Sequence, residues 1–225
     1  GINAEYGEKM SEAKAIFKIV QQGERLAGST ALLRSYTEKV YLKTDSYLKY
    51  MVNCELRGKT VEKRYKNKNV TFQLAIWDTY ASRYDYRPAT PKIFKGASAA
   101  LFLFDTTMRD KFDGLNVYIQ SLLDSEYRNN VPFLIVGTKI DLVDQRQVTR
   151  EEAVMLAERY NTQYVEISNF DGTGVDECFD LIIQKMMEHP NFERQLNNKF
   201  VQIPTDTNQD ENSVLDDDKP KRQCK

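Results

Sequence analysis

The chain has 225 residues, 41% hydrophobic and 29% charged, with 32 Lys+Arg against 33 Asp+Glu. The composition is that of an ordinary globular protein, and the balanced charge removes the case for wholesale or specific nucleic-acid binding. No apolar run nears the ~18 residues of a membrane helix, and three widely spaced cysteines (Cys54, Cys178, Cys224) form neither a disulfide framework nor a zinc motif, which points to a reducing, cytoplasmic setting.

Residues 1–13 read as an N-terminal extension lacking the basic-then-apolar pattern of a signal peptide. The first strand is expected at 15–20 (AIFKIV), running into a glycine-containing turn. Segments 50–56 (YMVNCEL) and 70–77 (VTFQLAIW) read as an antiparallel hairpin around a long basic loop, 57–69. Two short, wholly apolar runs, 99–104 (AALFLF) and 132–136 (PFLIV), suit strands covered on both faces. A further strand is expected at 163–167 (QYVEI).

Helical patterns fill the gaps. Phe112, Leu115, Ile119, Leu122 and Leu123 keep helical spacing, as do Val175, Phe179, Ile182, Ile183 and Met186. Thr149 with Glu152 is a capping-box signal. The single histidine, His189, stands before Pro190 and reads as a helix C-terminal residue. Alternating strands and helices imply an α/β fold: a mostly parallel sheet, helices on both faces, one antiparallel strand at an edge. From residue 191 the chain reads as a flexible tail, polar and block-charged after 203.

In such a sheet, function sits in the loops leaving the carboxyl ends of the strands. The first reads Gly23-Glu24-Arg25-Leu26-Ala27-Gly28-Ser29-Thr30. Gly23, Gly28 and Thr30 match the phosphate-loop pattern G-x-x-x-x-G-K-[ST], but Ser29 occupies the lysine position. Such a loop cradles phosphates with backbone N–H groups, and its Thr hydroxyl binds Mg²⁺. The same glycines also suit a plain strand-to-helix turn. Asp78, ending the hairpin's second strand, suits a Mg²⁺ partner held through water, and equally a turn residue. After 132–136 comes Gly137-Thr138-Lys139-Ile140-Asp141. An aspartate here can accept both N1–H and the exocyclic amine of guanine, while the Lys139 stem covers the base. The backbone of Ser168 and Asn169 is placed to meet guanine O6.

In order and spacing these fragments resemble a Rab-type member of the Ras-like small GTPases, over about residues 14–190. KIVQQGERLAGSTALLRSY is similar to the first strand, phosphate loop and first helix. Tyr41-Leu42-Lys43-Thr44 resembles switch I, LAIWDT the approach to switch II, VPFLIVGTKIDL the guanine loop, and YVEISNFDGTGVDECFDLIIQKM the last strand and helix. The resemblance implies a P-loop G domain with a six-stranded sheet, binding GTP or GDP with Mg²⁺. It implies nucleotide contacts at Gly23, Gly28, Ser29, Thr30, Ala31, Thr138, Lys139, Asp141, Ser168 and Asn169, and metal contacts at Thr30, Thr44 and Asp78.

Departures cluster at the chemistry. Ala81 and Ser82 stand where the family places the switch II Gly and the Gln that orients water, so no catalytic residue is assigned. Arg25 and Leu26 replace small residues, and Thr138 replaces Asn. The expectation is therefore a Rab-like guanine-nucleotide-binding protein impaired in hydrolysis and weakened in nucleotide and Mg²⁺ grip, acting in vesicle traffic. The alternatives are a pseudo-GTPase scaffold within a larger assembly and an active GTPase completed by a partner. Effector or scaffold proteins are expected to meet the switch-like surface, with Tyr80, Tyr84 and Tyr86, and the basic hairpin. The basic stretch beside Cys224 allows peripheral membrane attachment, although no C-terminal lipidation box is present.

Overall fold

The computed structural model describes residues 15–24, 26–41, 56–79 and 91–198. Strand β1 (Ile16–Gly23) leads into helix α1 (Ser29–Glu38), and β2 (Leu56–Tyr65) turns into β3 (Lys68–Asp78). Then follow β4 (Ala97–Asp105), α2 (Arg109–Leu123), β5 (Phe133–Thr138), α3 (Arg150–Arg159), β6 (Gln163–Glu166), α4 (Val175–Glu188) and α5 (Phe192–Asn197). The strands form one sheet in the order β2-β3-β1-β4-β5-β6. All neighbours are parallel except the β2–β3 pair, as the alternation of elements predicts.

Pleating sorts the side chains into two cores. On one face Phe17, Ile19, Leu74, Leu101 and Leu103 meet Leu32 and Leu33 of α1 and Phe179 and Ile182 of α4. On the other, Val20, Phe102, Phe104 and Ile135 meet Phe112, Leu115 and Ile119 of α2 and Ala153 and Leu156 of α3. Every residue of β4 and β5 is buried. That is why both read as unbroken apolar runs rather than alternating ones. Thr149 caps α3 with both halves of its box: Glu152 N–H donates to Thr149 Oγ1 at 3.2 Å, and Thr149 N–H donates to Glu152 Oε2 at 2.9 Å. His189 ends α4, and its ring Nε2 lies 2.9 Å from the Asn129 carbonyl.

Two expectations need correction. The basic stretch 57–69 is not a long loop. Residues 56–65 are β2, paired with β3 throughout, and the turn is only Lys66-Asn67, both left-handed at φ 45° and 63°. Alternate residues of β2 face α1, α4 and α5. Arg57 pairs with Glu38 at 3.2 Å, Lys59 Nζ donates to the Tyr36 carbonyl at 2.8 Å, Val61 is in the core, and Lys63 pairs with Asp180 at 2.6 Å. Long basic side chains thus roof this edge with their stems while their charged ends meet acids or, for Lys59, a backbone carbonyl. Second, residues 191–198, read as the start of the tail, carry α5. Its Phe192 is buried against Phe17 (4.9 Å between ring centroids), Tyr65 (4.9 Å) and Phe72 (5.6 Å).

The carboxyl ends of β1, β3 and β5 bring Gly23, Asp78 and Thr138 to one rim of the sheet. Thr44, Ala81, Ser82, Arg25, the three switch-like tyrosines, Cys54, Cys224 and residues 50–55 of the expected strand lie outside the described residues. No described helix is long and apolar enough to cross a membrane.

Candidate nucleotide site

The phosphate loop is shaped by steric need at both ends. A Cβ on Gly23 would lie 2.4 Å from the Leu103 carbonyl oxygen, so only glycine lets β1 run this close to β4. Gly28 is left-handed at φ 92° and forms the N-cap of α1. With no side-chain cap there, the N–H groups of Ser29, Thr30 and Ala31 open the helix without intrahelical partners. A helix start of this kind favours an anion. Ala31 contributes only backbone here, since its side chain is buried. Leu26 is also left-handed (φ 70°) and 59% exposed.

Beneath the loop lies a polar network. Thr30 donates from its hydroxyl to Asp78 Oδ2. Gln21 and Asp78 are register partners on β1 and β3. Gln21 Nε2 reaches the Ser29 carbonyl at 3.4 Å, Gln22 Nε2 donates to Thr79 Oγ1, and Thr79 Oγ1 donates to the Gln21 carbonyl at 2.5 Å. The ends of β1 and β3 and the start of α1 are therefore held as one unit.

The expected base loop converges on the same rim. Ser168 Oγ donates to Asp141 Oδ1 at 2.8 Å and accepts from Phe170 N–H at 3.2 Å. Lys139, left-handed at φ 61°, pairs through Nζ with Asp105 Oδ2 at 2.5 Å. Thr138 Oγ1 lies 2.8 Å from the Ala27 carbonyl and 3.2 Å from that of Phe104. It thus ties the base loop to the phosphate loop in the place expected of an Asn. Asn169 adds a second tie, donating from Nδ2 to the Gly28 carbonyl at 3.2 Å. Its Oδ1 is buried and has no hydrogen-bond partner among the described residues.

Of the expected contacts, Gly23, Gly28, Ser29, Thr30, Ala31, Asp78, Thr138, Lys139, Asp141, Ser168 and Asn169 lie along this rim. Sequence reasoning missed its braces. Lys111 of α2 pairs with Glu24 of the phosphate loop at 2.8 Å. Gly114 leaves the space for that carboxylate: a Cβ there would lie 2.6 Å from Glu24 Oε1. Tyr41 packs against Gly172, and the Tyr164 hydroxyl fills the space beside Gly137. Burial first, then Glu166, pushes the Tyr164 phenol well above its usual range, so it stays neutral. A glycine inside a helix, at position 114, was the available sign of a brace.

The sequence pattern of the Ras family matches residues 18–188. "Ras-related protein Rab-1" of Theileria annulata is 31% identical over 179 residues, covering 80% of this chain and 78% of that protein. "Ras-related protein RABA5b" of Arabidopsis thaliana is 32% identical over 183 residues, covering 81% and 79%. "Ras-related protein Rab-27A" of Homo sapiens is 30% identical over 179 residues, covering 77% and 79%. The chain belongs to the Ras family, on its Rab-like side. Proteins of this family bind GTP or GDP with Mg²⁺.

The residues present fit such a nucleotide unevenly. At the base end, Asp141 offers a carboxylate already oriented by Ser168. At the phosphate end the open helix start fits an anion, but Ser29 supplies no ammonium. For a hard cation, Thr30 and Asp78 supply oxygen donors, bonded to each other. No cluster of three His, Cys, Asp or Glu occurs among the described residues.

Proposed function

We propose that this chain is a Rab-like guanine-nucleotide-binding protein that binds but scarcely hydrolyses GTP, serving as a switch or interaction module in membrane traffic. The observation that carries the reading is the Ser168–Asp141 hydrogen bond on the base loop. It keeps a guanine-reading carboxylate in place while Ser29, Ala81 and Ser82 remove groups that charge neutralisation and hydrolysis need. An abandoned site has no use for an oriented Asp141. Gly23, Gly28, Ser29, Thr30, Ala31, Thr138, Lys139, Asp141, Ser168 and Asn169 are the proposed nucleotide contacts. Thr30, Asp78 and Thr44 are the proposed metal contacts.

Denaturing the purified protein and identifying the released nucleotide tests the reading. Guanine nucleotide near one per chain is expected, with single-turnover GTP hydrolysis at background. Restoring Gly and Gln at positions 81 and 82 should raise hydrolysis. A second reading, a scaffold without nucleotide, is favoured by the Thr30–Asp78 bond, which turns two of the three proposed metal contacts toward each other. It predicts no released nucleotide and no thermal shift with GTP and Mg²⁺. Effectors at the switch-like surface and peripheral membrane attachment through the tail belong to this proposal, tested by liposome flotation of the full chain.

A further inference from the structure

The hairpin turn lies at the opposite end of β3 from Asp78. There a groove of about 630 Å³ runs between the end of β2 and helix α4. Tyr65, Ile183 and Met187 give it an apolar lining, and Lys63, Arg64 and Lys66 form its hairpin wall. Lys63 and Lys66 hold exposed ion pairs, with Asp180 and Glu193 at 2.6 Å each. Such pairs contribute little and leave each ammonium free to meet a second acid. Arg64 is exposed and pairs with no acid among the described residues. An apolar lining beside a cationic wall fits an acidic chain segment that carries one or two apolar side chains.

The chain itself carries such a segment beyond Asn198, outside the described residues. Between Pro204 and Pro220 the only apolar side chains are Val214 and Leu215. Asp210 and Glu211 precede them, and Asp216, Asp217 and Asp218 follow. The last described element is anchored beside the groove. Glu193 of α5 meets Lys66, and Phe192 packs edge-on to the Tyr65 ring at 4.9 Å. From Asn198 to Val214 a flexible chain spans about 20 Å. That exceeds the radius of gyration of a domain this size, about 16 Å.

We propose that residues 210–218 of this chain dock in the groove between β2 and α4, with Val214 and Leu215 against Tyr65 and Met187 and the flanking acids on Lys63, Arg64 and Lys66. The contact needs little strength of its own. A tether of this length gives a local concentration of about 1 mM, so a contact of only ~0.1 mM affinity is about nine-tenths occupied. Docking covers the hairpin cations, and an outside partner reaches them only when the segment leaves. The inference is independent of the nucleotide reading and holds with the candidate site filled or empty.

The test is amide hydrogen exchange of the full chain at low salt, read by mass spectrometry over residues 210–218. Exchange there about tenfold slower than in an unstructured chain is expected, and the same at every protein concentration. Leu215→Ser and Arg64→Glu should each return the segment to free-chain rates, and about 0.5 M salt should weaken the protection. Arg64 and Leu215 leave the described core untouched, and thermal melting checks that both variants fold. Free-chain rates across 210–218 in the unaltered protein overturn the inference. Protection that Leu215→Ser or Arg64→Glu leaves intact overturns it as well, because the segment is then held elsewhere. Protection lost on dilution also overturns it, and assigns the segment to the groove of a second copy.

Discussion

In the proposed function, Asp141 is the residue on which base specificity turns. Its Oδ1 is fixed by Ser168, so the side chain needs no reordering before accepting a base donor. Asp141→Asn replaces one acceptor with a donor. The expected outcome is at least a tenfold loss for guanine nucleotides and a relative gain for xanthine nucleotides, whose edge offers the complementary carbonyl. Competition binding reads this directly. Gly23 is a second single-residue test, of packing rather than recognition. Gly23→Ala drives a Cβ toward a backbone oxygen of β4, and a cost of about 2 kcal/mol in denaturant unfolding is expected. Residue identities at the rim were largely legible from spacing, because glycines, Thr30, Lys139 and Asp141 sit at fixed offsets from strand ends. The partners of those residues were not. Glu24 with Lys111, and Asn169 with Gly28, are 87 and 141 positions apart, and no local pattern announces them.

Among the elements, the buried strands declared themselves, and the edge strand hid. β4 and β5 have helices on both faces, are buried throughout and are almost wholly apolar. β2 carries arginine and lysine where a strand pattern demands Val or Ile, since Arg57 and Lys63 end in ion pairs and Lys59 on a backbone carbonyl at the border of the fold. Its true turn lacks the glycine that normally marks one. Double-mutant cycles on Lys63 and Asp180 should return a coupling of only about 0.2–1 kcal/mol, as expected of exposed pairs. Helices α2 and α3 are joined by Arg109–Glu152 at 2.9 Å. The Arg109 hydrogen bond, and then the Thr149 N–H, hold the Glu152 carboxyl down at about 2, against an ordinary 4.5. A depressed carboxyl stabilises the fold above its unfolded value and loses that contribution as pH falls through its folded one. The melting temperature should therefore fall between pH 4.5 and about 2 by more in the parent chain than in Glu152→Gln.

For the molecule as a whole, α5 closes the core that the tail was expected to leave open. Phe192→Ala should cost about 3–5 kcal/mol, the range for emptying an aromatic site. A chain ending at residue 190 should melt well below one ending at 198, which thermal unfolding of the two truncations would show. Phe192 rests on Phe17 and Phe72, near the amino-terminal ends of β1 and β3, and Lys66 of the hairpin turn reaches Glu193 at 2.6 Å. The candidate nucleotide rim lies at the opposite ends of those same strands. The molecule consequently has two poles, one that carries the candidate site and one at which the described residues end. Any tether made through residues beyond 198 grips the fold by its base and presents Asp141, Phe170 and Leu26 outward, toward whatever approaches from solution.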